Sequence, residues 1–131
     1  MKKVIVLLVI GMLIIISCSG SDEPVNELTL EQKIIGKWKL TKQVEAGITT
    51  DYSSLIEETT HHYKEDGSII FHEWGETFFE TYEVSGSFLY HMRNSGSISD
   101  YKIISISDQE MILDLLDNSS DSRVRHYIRI E

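Results

Sequence analysis

One hairpin in the middle of the chain decides how the fold is interpreted. Its sequence is ETTHHYKEDGSIIFHEW, residues 58–74. Apolar and polar side chains alternate on both sides of Glu65-Asp66-Gly67, and a period of two residues is typical of a β-strand with one buried face. The triplet suits a type I turn with Gly67 in the left-handed conformation, which closes a hairpin through a bulge. The stretch therefore predicts two antiparallel strands.

The same alternation continues along the rest of the chain, and no segment after residue 36 has a convincing helical period. Turns rich in Ser, Asp, Asn and Gly separate the alternating segments. The predicted strands cover residues 36–44, 58–65, 68–74, 77–84, 87–93, 98–107, 110–117 and 122–130. One long loop, residues 45–57, follows the first strand. Hairpins without crossover helices predict an antiparallel up-and-down meander.

The turns and the alternation also predict which side chains face inward. The predicted cross-strand pairs are Tyr63 with Ile69, His61 with Phe71 and, across a turn at Ser85-Gly86, Tyr82 with Leu89. In the last strand we expect the apolar residues inside and the three arginines outside. The predicted interior consists of Trp38, Leu40, His61, Tyr63, Ile69, Phe71, Tyr82, Val84, Leu89, Ile103, Met111, Leu113, Val124, Ile128 and Ile130, and by parity His91 and His126 share it.

A short helix is predicted before the first strand. Thr29 and Gln32 fit a capping box, and Gly36 is placed to end the helix. Eight strands in about 100 residues can close into a barrel, and closure removes the exposed edges that invite aggregation. The predicted fold is thus all-β, an eight-stranded antiparallel meander closed into a barrel and preceded by one short helix. A two-layer sandwich is the competing arrangement.

The first residues of the chain have a different character. Lys2 and Lys3 precede an apolar run that is typical of a secretory signal and short for a membrane span. The run ends in Ile15-Ile16-Ser17-Cys18, which resembles the lipobox of bacterial lipoproteins and implies cleavage before Cys18 and lipidation of its thiol. An uncleaved anchor helix is the alternative. The predicted division is a cleaved signal peptide over 1–17, a lipidated Cys with a flexible acidic tether over 18–28, and the barrel domain over 29–131.

Composition narrows the classes of function. The 131 residues include 21 acidic and 12 basic ones, for a net charge of −9. So acidic a chain is a poor nucleic-acid binder, because phosphate contacts need clustered Lys and Arg. A single Cys allows no internal disulfide and no zinc site built on cysteines.

Four motifs in order resemble the small lipocalin-like domains of Bacteroidetes lipoproteins. They are Gly36-Lys37-Trp38-Lys39-Leu40, then Tyr63-Lys64-Glu65-Asp66-Gly67-Ser68, then Thr81-Tyr82-Glu83-Val84 with Leu89, and finally Tyr101-Lys102-Ile103 with the hairpin over 107–113. The resemblance covers residues 30–130. It implies a lipocalin-like barrel that binds a ligand and is held by lipid on Cys18 at the outer membrane, on its periplasmic face or at the cell surface. The chain lacks the Thr-Asp-Tyr motif of that fold and is shorter than a transport lipocalin, which argues against a large cavity.

The interior of the barrel holds the candidate ligand-binding residues. They are Trp38, His61, Tyr63, Phe71, Tyr82, Leu89, His91, Met111 and His126. A pocket among them is expected to be apolar with a few polar groups. We therefore expect a lipid-anchored binding protein of the cell envelope for a small apolar ligand. The alternative is a packed barrel that docks an envelope protein, for example through an exposed patch at Trp74, Phe78 and Phe79.

Catalysis and metal binding have weaker support in the sequence. Glu73 and Glu80 are a candidate pair of carboxylates for a glycosidase, but a solvated acidic face is the commoner arrangement. His61 and His62 point to opposite sides of their strand, and no metal-binding motif such as H-E-x-x-H is present. We therefore expect neither an enzyme nor a metal site or cofactor.

Overall fold

The computed structural model describes residues 27–54, 58–117 and 121–131. The predicted signal peptide, Cys18 and most of the predicted tether lie outside these residues. The elements in chain order are helix α1 (Leu30–Ile34) and strands β1 (Gly36–Glu45), β2 (Ile48–Asp51), β3 (Thr60–Tyr63), β4 (Ser68–Glu73), β5 (Glu76–Ser85), β6 (Phe88–Met92), β7 (Ile98–Ile106), β8 (Glu110–Leu115) and β9 (Arg123–Arg129). No helix in the described part of the chain combines the length and apolar character needed to span a membrane.

Strand β1 closes the sheet into a barrel. Its first half, residues 36–39, pairs with β3, and most of its length pairs with β9 on the other side. From β3 to β9 each strand pairs antiparallel with the next. The barrel therefore has eight strands, β1 and β3–β9, with one short helix before them. The predicted eight-stranded antiparallel barrel is confirmed, and the sandwich is not the fold.

A ninth strand lies within the predicted loop over 45–57, where none was expected. Ala46 and Gly47 adopt φ values of 50° and 78° and join β1 to β2 by a two-residue turn. β2 extends the sheet beside the second half of β1, and all four of its residues are exposed. Because β2 buries no apolar face, its sequence carries no alternating signal.

The hairpin from which the prediction started has the expected geometry. Tyr63 pairs with Ile69, and His61 pairs with Phe71. Gly67 adopts φ = 81°, in the left-handed region. One carboxylate oxygen of Asp66 accepts hydrogen bonds from the amide and the hydroxyl of Ser68, at 2.9 and 2.6 Å. The turn residues therefore set the register of this hairpin, as predicted.

The register of the hairpin formed by β5 and β6 differs from the prediction. Ser85 pairs with Phe88, so the turn consists of Gly86 and the residue after it. Leu89 consequently lies opposite Val84, and Tyr82 lies opposite His91. The shift is two residues in the pairing, so the inward parity of both strands is unchanged.

The inward face of the last strand was predicted wrongly. Tyr127 is 1% exposed, whereas Ile128 and Ile130 are each 39% exposed. Val124 pairs with Asp114, on the outer face of the barrel, and His126 shares that face. The inversion has a physical reason: the arginines that alternate with these residues find hydrogen-bond partners inside or at the ends of the barrel.

One end of the barrel is closed by α1 and Trp38. The indole is fully buried, and its Nε1 donates to the carbonyl of Ile34 at 2.7 Å. The Arg129 guanidinium lies 4.3 Å from the ring centroid and donates to the carbonyls of Ile35 and Lys33, at 2.6 Å each. Gly36 is required here, because its φ is 134° and a Cβ would lie 2.8 Å from the backbone carbonyl oxygen of Glu131. The indole and the guanidinium at this end thus both donate to backbone carbonyls.

Candidate functional site: a polar pocket at the open end

The other end of the barrel, away from α1, contains a small cavity of about 170 Å³. Inward-facing side chains at the ends of several strands surround it, and we call it the mouth pocket. Its lining consists of His61, Phe71, Glu73, Glu80, His91, Arg93, Ser99, Tyr101, Leu115, Arg123 and Arg125. A cavity of roughly 150 Å³ can accept a benzene molecule, so the pocket suits a ligand of about one ring.

Most of this lining is polar, whereas the sequence predicted an apolar one. Two strands explain the difference. On β4, Glu73 follows Phe71 at a spacing of two, so its side chain points inward at the rim. On β9, the inverted parity brings Arg123 and Arg125 inside. The phenyl ring of Phe71 and the aliphatic side chain of Leu115 are the apolar surfaces in the lining.

The charged groups of the pocket stand slightly too far apart for direct hydrogen bonds. Oε1 of Glu73 lies 3.9 Å from Nη1 of Arg125. Oε1 of Glu80 lies 3.6 Å from Nε of Arg93. Arg125 uses its Nε to donate to the side-chain carbonyl of Gln43 at 2.9 Å, which fixes the guanidinium at the pocket wall. The separations leave space in which a ligand can contact these groups.

Three buried polar side chains, connected by hydrogen bonds, form the floor of the pocket. The hydroxyl of Tyr63 lies 2.9 Å from Nε2 of His91 and 3.3 Å from Nδ1 of His61. Both imidazoles are almost fully buried. Burial lowers the pKa of His61. Burial also lowers the pKa of His91 well below its usual value, and the neighbouring His61 lowers it further. Both rings are therefore neutral at pH 7.

The carboxylate of Glu73 determines the direction of the hydrogen bonds among His61, Tyr63 and His91. It lies 3.7 Å from Nε2 of His61, and a nitrogen lone pair facing a carboxylate would be repelled. We therefore assign the proton of His61 to Nε2. Nδ1 then accepts from the hydroxyl of Tyr63, and the oxygen of Tyr63 accepts from Nε2–H of His91.

The two carboxylates of the pocket differ in acidity. The adjacent His61 lowers the pKa of Glu73 against the opposing effect of burial, and the charge of Arg125 adds to the lowering. Burial raises the pKa of Glu80, and the negative charge of Glu73 raises it further, while Arg93 opposes this. Glu73 is thus the more firmly ionised of the two.

Three buried polar atoms among the described residues have no hydrogen-bond partner. They are Nε2 of His61, Nε of Arg123 and the hydroxyl of Tyr127. His61 and Arg123 line the pocket, and the ring of Tyr127 packs 5.2 Å from that of His61. Leaving such a group unpaired costs roughly 1–3 kcal/mol, so buried polar atoms are nearly always paired. Their concentration at one end indicates a site that receives a partner from outside.

The structure separates the predicted site residues into three groups. His61, Phe71 and His91 line the mouth pocket, with Tyr63 directly against the two histidines. Trp38, Leu89 and Met111 are fully buried in the core away from the pocket, and Tyr82 is half-buried with its hydroxyl on the carbonyl of Lys64. His126 lies outside, on the outer face of β9, which corrects the prediction that it faces the interior.

Sequence reasoning missed six lining residues: Arg93, Ser99, Tyr101, Leu115, Arg123 and Arg125. Parity with predicted core residues was the available signal for Ser99 and Tyr101, which alternate with Ile103. The alternating arginines of β9 predict lining residues only if the barrel interior is assumed to contain polar side chains. Glu73 and Glu80, considered as a catalytic pair, do share the pocket. Within the described ranges, no group of three or more His, Cys, Asp or Glu side chains is placed to hold a metal ion.

Comparison with known proteins identifies the fold. No protein-family model matches the chain, and no curated protein matches it at a significant level. The chain is similar to the crystal structure of a lipocalin-like protein from Bacteroides uniformis ATCC 8492, with a TM-score of 0.56 and 17% sequence identity over 75% of this chain and 99% of that one. At this identity the similarity shows the fold alone. The chain thus has a lipocalin-like fold, an eight-stranded antiparallel barrel closed at one end by a short helix.

Proposed function

We propose that this protein is a lipid-anchored binding protein of the cell envelope that takes a small ligand into the mouth pocket. The observation that carries the proposal is the set of buried, unpartnered polar atoms around a cavity at the open end of a barrel. An eight-stranded barrel of the lipocalin type can hold one small ligand, and its rigid strands keep such a set of groups in place. The sequence led us to expect an apolar ligand. Because the lining is mostly polar, we propose a ligand that carries polar groups.

The anchor is proposed from the lipobox-like sequence and from the way the chain enters the barrel. Cys18 lies outside the described residues, but α1 lies at the closed end. A lipid on Cys18 at the outer membrane would therefore hold the domain by the end opposite the mouth pocket. The intact mass of the full chain purified from membranes tests this. We expect the loss of residues 1–17 and the mass of a diacylglyceryl group, and Cys18→Ser is expected to prevent both.

Binding rather than catalysis is the role that the carboxylates support best. Each lies close to an arginine of the pocket wall, Glu73 to Arg125 and Glu80 to Arg93. Such pairing suits groups that hold charge in place, whereas a general acid needs its proton free for transfer. The contact with His61 accounts for the lowered pKa of Glu73, and burial accounts for the raised pKa of Glu80.

Filling the mouth pocket tests the proposed function. Ser99 lines the pocket, so Ser99→Trp is expected to place an indole in it. Ser105 lies on the same strand with an exposed side chain, which makes Ser105→Trp the matched control. Small one-ring fragments added to the full chain in detergent micelles are expected to shift the NMR signals of pocket residues. Ser99→Trp should abolish these shifts and Ser105→Trp should retain them. Fragments that never shift the pocket signals would refute the proposal.

A protein partner is the second candidate, and exposed aromatic residues favour it. Trp74, in the turn between β4 and β5, is 73% exposed, and Phe79 is 64% exposed. Exposed aromatic side chains of this kind are typical of interface anchors. Site-specific crosslinking from position 74 in intact cells tests this candidate. A crosslink to one envelope protein that Phe79→Ser weakens would favour it over ligand binding.

A further inference from the structure

We propose that the ligand of the mouth pocket is a small carboxylate whose apolar body is no larger than one ring. The inference rests on the proposed function, because it names the chemical class that the same pocket accepts. Three features of the pocket support it: the arginines of the lining, the hydrogen-bond donors without a partner, and the apolar surface beside them.

The arginines of the lining differ in how closely carboxylates hold them. Nη2 of Arg123 donates to Glu45 at 2.7 Å and lies 3.4 Å from Asp117, so its charge is balanced behind the lining. Arg125 has the loosest contact, with its Nη1 3.9 Å from Oε1 of Glu73. Interactions in a partly enclosed pocket are screened less than those at the surface, so an anion that reaches the Arg125 guanidinium gains a direct charge-assisted contact.

The unpaired groups of the pocket are hydrogen-bond donors. Nε of Arg123 carries a proton and is buried without a partner. Nε2 of His61, which we assigned as protonated, faces Glu73 at 3.7 Å, too far for a hydrogen bond, on a side chain that is 2% exposed. Among the described residues, Nε of Arg125 has its hydrogen bond to Gln43, while Nη1 only approaches Glu73 at 3.9 Å. A ligand that supplies acceptor oxygens satisfies these groups, whereas an ammonium group cannot.

A carboxylate is the acceptor group that also fits the geometry of guanidinium donors. Its two oxygens can accept parallel hydrogen bonds from one guanidinium group, which strengthens and orients the contact. Phe71 and Leu115 provide apolar surface in the same cavity. A free phosphate would satisfy the donors but leave this surface without an apolar contact. The volume of about 170 Å³ limits the body of the ligand to about one ring.

Three probes of one size distinguish the charge classes. They are benzoate, its neutral isostere benzamide, and the cation benzylamine, each titrated into the full chain in detergent micelles at low salt. We expect benzoate to shift the amide signals of Ser99 and Arg125 and to bind at least tenfold more tightly than benzamide. Raising the salt concentration should weaken benzoate binding, because the attraction is partly electrostatic.

Two variants locate the effect. Arg125→Gln removes a guanidinium of the pocket and is expected to weaken benzoate binding about tenfold, whereas benzamide binding changes little. Lys102→Gln removes a positive charge from an exposed position of β7 and is the matched control, for which we expect no change. If Arg125→Gln does not fold, Arg123→Gln serves the same purpose at the neighbouring inward position of β9.

The outcomes separate this inference from the proposed function. Benzamide or benzylamine binding as tightly as benzoate, at the same residues, would overturn the carboxylate inference and leave a small-ligand pocket in place. Benzoate binding that Arg125→Gln and Lys102→Gln weaken equally would also overturn it, because the attraction would then be general. Failure of all three probes to shift the signals of the pocket would overturn both.

Discussion

The two ends of the barrel use the same residue types for opposite purposes. At the closed end, Arg129 lies over Trp38 and donates to three backbone carbonyls, those of Lys33, Ile35 and Asp108. At the open end, Arg125 has one hydrogen bond to Gln43 and faces a cavity. An arginine that donates from all three of its nitrogens to the backbone stabilises the fold, whereas one that donates from a single nitrogen can bind a ligand. The difference between the ends is thus a difference in satisfied hydrogen bonds.

Removing the plug of the closed end should have the largest effect on stability. Trp38 is fully buried and bonded to Ile34, so Trp38→Ala leaves a large cavity and an unpaired carbonyl. We expect a loss of about 3–5 kcal/mol in the free energy of unfolding, measured by urea denaturation. A loss below about 1 kcal/mol would show that the indole does not plug the barrel.

One substitution made at both ends of β9 tests the comparison directly. Arg129→Gln removes three hydrogen bonds and the contact with the indole, so we expect a loss of about 3 kcal/mol. Arg125→Gln removes one hydrogen bond, so we expect a loss of about 1 kcal/mol. Urea denaturation of both variants measures the difference. Equal losses would contradict the view that the open end is built for binding.

The pH dependence of stability should report the buried histidines of the open end. Burial holds the pKa of both His61 and His91 below the value of 6.5 that applies to an unfolded chain. Below pH 6.5 the unfolded chain therefore binds protons that the folded chain does not, and stability falls as the pH falls. Each histidine contributes at most about 1.4 kcal/mol per pH unit.

We expect the two histidines together to cost up to about 2 kcal/mol between pH 6.5 and pH 5.5, as measured by urea denaturation at each pH. His91→Gln removes one titrating group, so its stability should fall less steeply with pH over the same range. An equally steep fall in this variant would show that the dependence arises elsewhere in the molecule.

Sequence reasoning was accurate where local chemistry determines the structure. The turn at Asp66 and Gly67 set the register of one hairpin, and the capping box of Thr29 and Gln32 located the short helix. It was inaccurate where the inward face of a strand depends on residues that are distant in sequence and adjacent in the closed barrel. The last strand alternates arginine with apolar residues, and this pattern alone does not show which face is inside. The arginines are inside because Gln43 and Glu45, which are 80 or so residues earlier in the chain, provide their partners.

The site was harder to predict than the fold for the same reason. Glu73 and His61 are 12 residues apart, and their contact follows from the hairpin register. The contact of Glu73 with Arg125 depends on closure of the barrel and on the parity of β9, which the sequence pattern did not determine. In an alternating strand the apolar residues normally face the interior, and a polar pocket is an exception to this rule. Such exceptions are expected at functional sites.

Two tyrosine hydroxyls give the smallest and most specific test of the difference in hydrogen bonding. The hydroxyl of Tyr63 joins the two buried histidines, so Tyr63→Phe leaves ring nitrogens unpaired. We expect this variant to lose about 1.5 kcal/mol. The hydroxyl of Tyr127 is equally buried but has no partner among the described residues. Its removal leaves nothing unpaired, so Tyr127→Phe should change the stability by less than about 0.5 kcal/mol.

Urea denaturation of the two tyrosine variants at pH 7 measures both changes under the same conditions. Because the two substitutions delete the same atom from the same residue type, differences in side-chain entropy and apolar area cancel in the comparison. A larger loss for Tyr127→Phe than for Tyr63→Phe would mean that its hydroxyl is already bonded in the free protein, for instance to the adjacent Arg125. The open end would then hold fewer free donors, and the case for a ligand that supplies acceptors would weaken accordingly.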